Sequence, residues 1–259
     1  MAEQRILTRG RPPLAGVFGG GGLFGIGYAL GVIDALRDRG LDLSDTPMLG
    51  TSAGSWAASA TALGISHDEI ANRPVPRFPD PRSGVLARHA REIFGEATHA
   101  GVEVVVTTIP RLQRTTLSGR TIPLADLCAA SSAVPGLLAP HRINGVRYVD
   151  GGVRSAVSAD LASPADLLVV VAPLAGAMFG PFGGAIHRRL GRELESWRRT
   201  GGGDWIVFSP DDRLADLARR PDQLFDRDIA LHAYDAGRAE AAVRSVDHVG
   251  VRAATASRQ

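Results

Sequence analysis

Gly50-Thr51-Ser52-Ala53-Gly54 sets a serine between two glycines. This is the spacing of a nucleophile elbow, in which the serine rides a strained strand-to-helix turn and small neighbours let the backbone fold sharply beneath it. A hydroxyl held this way can attack a carbonyl if a base takes its proton and donors hold the oxyanion that forms. Gly20-x-Gly22-x-x-Gly25, within the tetrad Gly19 to Gly22, offers such donors, because backbone N–H groups without side chains can line a cleft closely. The same glycines fit a dinucleotide-binding fingerprint. That reading needs an acidic residue at the end of the second strand, where this chain has Gly50-Thr51-Ser52; Asp42 and Asp45 come before the strand.

The base can be a histidine, as in a triad, or a carboxylate acting directly on the serine. In an α/β-hydrolase several strands precede the elbow and the order is Ser, Asp or Glu, His, whereas here about one strand precedes the elbow strand. Of the seven histidines, His232 and His248 fall late enough to serve; His232 sits in a predicted amphipathic helix and His248 near the end of the chain. Asp150 is better placed. It ends a predicted hairpin strand, and Gly151 and Gly152 after it would let the backbone present the carboxylate at a cleft edge. The plainer reading of Asp-Gly is a turn aspartate bonded to its own backbone.

The elements needed to carry these residues are legible around them. Leu14 to Phe18 reads as a strand entering the glycine loop, Ile26 to Leu36 has helical spacing closed by Gly40, and a short strand near Pro47 to Leu49 delivers the elbow. Small residues as far as Leu63, stopped by Gly64, predict a tightly packed helix, and Ser66 with Glu69 forms a capping box for another. Four prolines make residues 72–83 an irregular surface loop. Gly84 to Phe94 and Leu124 to Ala133 read as helices, Val102 to Thr108 as a buried strand. Ile143-Asn144-Gly145-Val146 is a type I′ hairpin signature pairing residues 141–143 with 146–149. Leu167 to Val171 and Ile206 to Phe208 predict buried parallel strands alternating with helices over residues 185–199 and 227–244. The expected architecture is a three-layer α/β/α single domain over residues 14–252 with a mostly parallel sheet, a tail at 1–13 and another at 253–259.

Composition narrows the chemistry. All 29 basic side chains are arginine, which rules out a Walker-type phosphate loop, a Schiff-base enzyme, a protein kinase and a Ser-Lys hydrolase, each of which needs a lysine amine. A formal charge of +2 is too small to argue for nucleic acid. One cysteine, Cys128, allows no intrachain disulfide and no multi-cysteine zinc site, and reads as a small buried hydrophobe. With no apolar run of membrane-spanning length and no signal-peptide pattern at the start, a cytoplasmic protein is expected.

Gly20 to Gly25, Gly50 to Gly54 and Asp150-Gly151-Gly152, in this order and spacing, resemble the three signature blocks of the patatin-like phospholipases; Ser132-Ala133-Val134-Pro135-Gly136 and Tyr234-x-x-Gly237 extend the similarity. The resemblance implies a Ser52–Asp150 dyad, an oxyanion hole around Gly20, Gly21 and Gly22, and hydrolysis of lipid acyl esters without metal or cofactor. The chain departs from the pattern at Phe24, where such proteins often carry arginine or lysine, and in the following helix, which contains Gly27 and is one residue longer than usual before Gly31. The first departure bears on headgroup preference. The rival readings are a histidine-dependent carboxylesterase and a lipid- or nucleotide-binding module without turnover. Residues 173–184, with Met178, Phe179 and Phe182 among glycines beside Arg188 and Arg189, suit contact with a membrane surface such as the inner membrane; the plainer reading is a flexible linker ahead of a solvated helix.

Overall fold

The structure, a computed structural model, describes residues 11–74 and 79–244. Eight strands form one sheet: β1 (Leu14–Phe18), β2 (Met48–Thr51), β3 (Val102–Ile109), β4 (Arg114–Ser118), β5 (His141–Ile143), β6 (Val146–Asp150), β7 (Leu167–Val171) and β8 (Asp204–Phe208). The path β3-β2-β1-β7-β8 is parallel throughout; β4, β6 and β5 add antiparallel pairing at the β3 end. Helices α1 (Gly22–Asp38), α2 (Ala53–Leu63), α3 (His67–Ala71), α4 (Val85–Phe94), α5 (Leu124–Ser131), α6 (Pro181–Arg199), α7 (Asp212–Ala215) and α8 (Arg227–Val243) connect them.

Side chains alternate along the strands and divide the interior into two cores. Leu14 and Phe18 of β1, with Leu167, Val169 and Val171 of β7, pack with α1, α2, α5 and α8 on one face. Ala15, Val17, Leu168 and Val170 turn the other way, where Leu190, Leu194 and Trp197 of α6 cover them. Runs with no polar position, such as LLVVV in β7, arise because both faces are covered. The expected three-layer arrangement is therefore the observed one.

Most expected elements are present at close to their expected bounds. Gly64 closes α2 in the left-handed conformation, Ser66 and Glu69 complete the capping box of α3, and the hairpin turns at Asn144 (φ 48°) and Gly145 (φ 83°) as a type I′ turn requires. Cys128 is fully buried on α5, where burial pushes its thiol up to about 12. The β4 strand and the short α7 were not expected. Gly27 and Gly31 are explained by α8: a Cβ at these positions would lie 2.3 Å from the carbonyl oxygen of Ala230 and 2.1 Å from that of Tyr234. Gly237 answers from the other side, 2.4 Å from the Tyr28 oxygen. The two helix backbones are thus nearly in contact, and the Tyr234 hydroxyl donates to Asp34 at 2.9 Å across the seam.

Candidate active site

Sheet topology brings the serine and the aspartate together. Strand β4 occupies one edge of β3 from Glu103 to Thr107, so β2 and β6 must share the other. Along that edge β2 runs parallel to β3 and ends with Thr51 opposite Val105, while β6 runs antiparallel and ends with Asp150 opposite Val106. Two strands meeting head to head on adjacent residues of a third place their C-terminal ends side by side. Ser52 follows one end and Asp150 is the other.

The elbow has the strain its sequence implies. Ser52 adopts φ 52°, ψ −120°, a region that L-residues seldom occupy. It is held there from both sides. Its N–H donates to the Ser131 hydroxyl at 2.9 Å, which donates onward to the Val105 carbonyl at 2.7 Å. Its carbonyl accepts the Ser55 N–H at 2.9 Å and the Ser55 hydroxyl at 2.6 Å. The flanking glycines make room. A Cβ on Gly54 would sit 1.9 Å from the Phe18 oxygen and one on Gly50 would sit 2.5 Å from the Gly54 oxygen, so the elbow is wedged against the end of β1. The approach at Gly25 of α1 is less severe, where a Cβ would lie 3.2 Å from the Ala53 Cβ.

Asp150 is buried, only 4% exposed, and burial pushes its carboxyl from an ordinary 3.8 up to about 6. The nearby Ser52 hydroxyl and the hydrogen bond from the Gly152 N–H oppose the rise by favouring the charged form. The Gly152 nitrogen lies 2.6 Å from Oδ1, so the turn-aspartate geometry is present. Gly151 is forced by the neighbouring strand, since a Cβ there would stand 2.5 Å from the Val105 oxygen.

Of the glycine loop, Gly20 directs its N–H to the Ala156 carbonyl at 2.8 Å and so has a partner already. Gly21 and Gly22 enter α1 ahead of its first internal bond, from the Gly25 N–H to the Gly21 oxygen. Their N–H groups are among the donors that a helix start leaves unpaired. Gly22 itself is at φ 59°, and its missing side chain admits the Leu224 oxygen, 2.7 Å from where a Cβ would be. The starts of α1 and α2 adjoin the same space, neither with an acidic residue in its first turn nor a side-chain cap, so two positive dipole ends act there together.

Gly20, Gly21, Gly22, Ser52, Asp150 and Gly152 all line one cleft of about 440 Å3. Its remaining wall is chiefly apolar: Leu23 and Ile26 of α1, Trp56 of α2, Leu86 and Ile93 of α4, and Val134 after α5. Two polar wall residues were not anticipated, His89 and Arg73. His89 stands on the α4 face that carries Leu86 and Ile93, its ring 6.3 Å from that of Trp56, and burial lowers its pKa. The helical spacing of 86, 89 and 93 was the available signal. His232 is elsewhere: it is exposed on α8 and bonded through Nδ1 to the Asp228 oxygen at 2.7 Å. His248 lies outside the described residues.

The expected membrane loop takes a different form. Met178 is fully buried in the core, Phe179 is half-buried, and α6 already begins at Pro181. Arg189 is paired with Glu193 at 2.9 Å. Phe182, 58% exposed at the rim of the cleft, is the one aromatic ring of the segment that faces solvent. Among the described residues no helix is long and apolar enough to cross a membrane.

A family model described as patatin-like phospholipase matches residues 72–163, the stretch that carries Asp150 and the Ser132–Gly136 block. An uncharacterized NTE family protein of Mycobacterium bovis is 29% identical over 200 residues, spanning 70% of this chain and 54% of the relative. An uncharacterized NTE family protein of Mycobacterium tuberculosis gives the same figures. The chain thus spans about half the length of these curated relatives. The crystal structure of VipD from Legionella pneumophila aligns over 90% of this chain and 66% of its own, with 15% identity and a TM-score of 0.43.

Proposed function

We propose that this chain is a serine acyl hydrolase of lipid esters, working through a Ser52–Asp150 dyad. The observation that carries the reading is the Ser52 hydroxyl, on a strained elbow and lining one apolar cleft together with the buried Asp150 carboxyl, whose titration it influences. The similarity to patatin-like phospholipases supports lipid acyl esters as the substrate class.

In the proposed reaction Ser52 Oγ attacks the ester carbonyl carbon as Asp150 accepts the hydroxyl proton. The carbonyl oxygen takes the negative charge and receives hydrogen bonds from the N–H groups of Gly21 and Gly22, with both helix starts adding favourable potential. Collapse of the intermediate breaks the bond to the alkoxy oxygen, and Asp150 hands the proton to the departing alcohol. Water then attacks the acyl-serine, losing its proton to Asp150; the acid leaves and Ser52 regains its hydrogen. A carboxyl titrating near 6 is mostly ionised at neutral pH yet a better base than an ordinary aspartate. Gly20, its N–H engaged by Ala156, serves by fixing the loop.

A histidine-dependent esterase is the second reading, favoured by His89 on the cleft wall with its pKa lowered. The test is covalent labelling by a fluorophosphonate together with turnover of p-nitrophenyl butyrate. Wild type and His89→Ala should both label and turn over, and Ser52→Ala should do neither. A folded His89→Ala protein as inactive as Ser52→Ala would transfer the base to the histidine.

A further inference from the structure

A second groove, of about 880 Å3, lies against the first, and the two share Leu174, Phe182, Pro221 and Leu224 as a common ridge. The ridge is built onto the glycine loop. Leu224 presses its backbone oxygen and Cβ toward Gly22, within 2.7 and 3.2 Å of where a Cβ would be. Pro173, just before Leu174, does the same at Gly21 at 3.1 Å. The two spaces therefore part beside the very N–H groups assigned above to the ester oxygen. Beyond the ridge the groove runs over Ala177 and Phe179 to Ala215 of α7, and its charged lining comes from α7 and the residues after it, Asp212 with Asp216 and Arg219, the last two paired at 3.0 Å. An ester whose carbonyl oxygen sits at Gly21 and Gly22 has one substituent on each side of its carbonyl. With the acyl chain in the first cleft, the alcohol is directed across the ridge.

Resting on the hydrolase reading, we infer that the second groove binds the alcohol side of the substrate, and that this side is itself a hydrocarbon arm. The substrates are two-armed lipids in which both the acid and the alcohol carry long apolar chains. A long-chain alkyl alcohol and a glycerol bearing a second acyl chain supply the same chemistry, and the substrates below separate them.

The experiment holds the acid constant and varies the alcohol: ethyl, hexyl and decyl butyrate in identical detergent micelles, followed by release of butyric acid. A parallel arm compares a 1,2-diacylglycerol with the 1-monoacylglycerol. Wild type should show kcat/KM rising about tenfold or more from ethyl to decyl, as expected from burying several further methylenes. Ala215→Trp, which fills the groove away from Ser52, should bring the decyl-to-ethyl ratio close to one. Ala177→Leu, a milder obstruction, should lower it part of the way and keeps the test alive if the tryptophan variant fails to fold. A diacylglycerol preference lost in both variants identifies the second arm as an acyl chain; a gain with alkyl chain length alone identifies a long alcohol. A wild-type ratio near one, or a ratio unchanged in folded variants, overturns the inference while p-nitrophenyl butyrate is still turned over. Failure to turn over that small ester would instead count against the hydrolase reading itself.

Discussion

At the scale of single residues, the proposed role of Asp150 would tie activity and stability to the same proton. With its charged form as the proposed base, kcat/KM for a soluble ester should fall about tenfold per pH unit below roughly pH 6. A profile flat down to pH 4.5 would remove Asp150 from the role. Stability should move the opposite way. The folded carboxyl titrates near 6 and the ordinary value is 3.8, so between these pH values the folded state holds more protons than the unfolded one. Stability then declines with rising pH through that window, by on the order of 3 kcal/mol in total, and stays lower above it. Asp150→Asn removes the titration while keeping an oxygen that can accept the Gly152 N–H. Urea unfolding should find this variant more stable than wild type at pH 8, about equal to it at pH 4, and inactive at both. Ser52 makes a parallel trade in backbone strain. Ser52→Gly should exceed Ser52→Ala in stability by about 1 kcal/mol, since both lose the hydroxyl but only glycine is at ease at φ 52°.

At the scale of elements, the elbow depends on close approaches that a single methyl group would break. Gly54→Ala would drive its Cβ into the Phe18 oxygen of β1, a backbone atom that cannot move aside, and should cost 2 kcal/mol or more, roughly the upper range for overpacking. Thermal unfolding measures this, and a loss under 0.5 kcal/mol would mean that the elbow is not wedged there. The glycine blocks, the elbow and the Asn144-Gly145 hairpin were legible because each is a local signal in which a few adjacent residues settle the backbone. The strand RTTLS of β4 was not. Its five residues are all half-buried and lack alternation, since the strand covers only the outer edge of β3. That omission hid the reason Ser52 and Asp150 meet, which is long-range pairing. The partner of the Gly20 N–H, the burial of Met178 and the cleft position of His89 were hidden likewise, each being settled by residues distant in the chain.

For the molecule as a whole, the layer on the far side of the sheet also bears on the site. Glu193 of α6, 6% exposed, accepts the Ser155 hydroxyl at 2.6 Å, the Ala159 N–H at 3.1 Å and Arg189 at 2.9 Å. It thereby anchors the segment after Asp150. That segment supplies the Ala156 oxygen to the Gly20 N–H and the Val157 oxygen to the Thr51 hydroxyl, so one stretch of chain fixes the glycine loop and the elbow strand together. A carboxylate so placed would act through geometry rather than on the substrate, and its removal should displace the proposed oxyanion donors at Gly21 and Gly22 more than the apolar cleft. Glu193→Ala is therefore expected to lower kcat for a short-chain ester by about tenfold to a hundredfold while changing KM little, since misplacing such donors forfeits part of the few kcal/mol they supply to the transition state. Glu193→Gln retains an acceptor for Ser155 and should recover part of the loss, and Ser155→Ala combined with Glu193→Ala should be no worse than Glu193→Ala alone. A change confined to KM, or a folded Glu193→Ala protein with wild-type kcat, would confine Glu193 to holding α6 against the sheet.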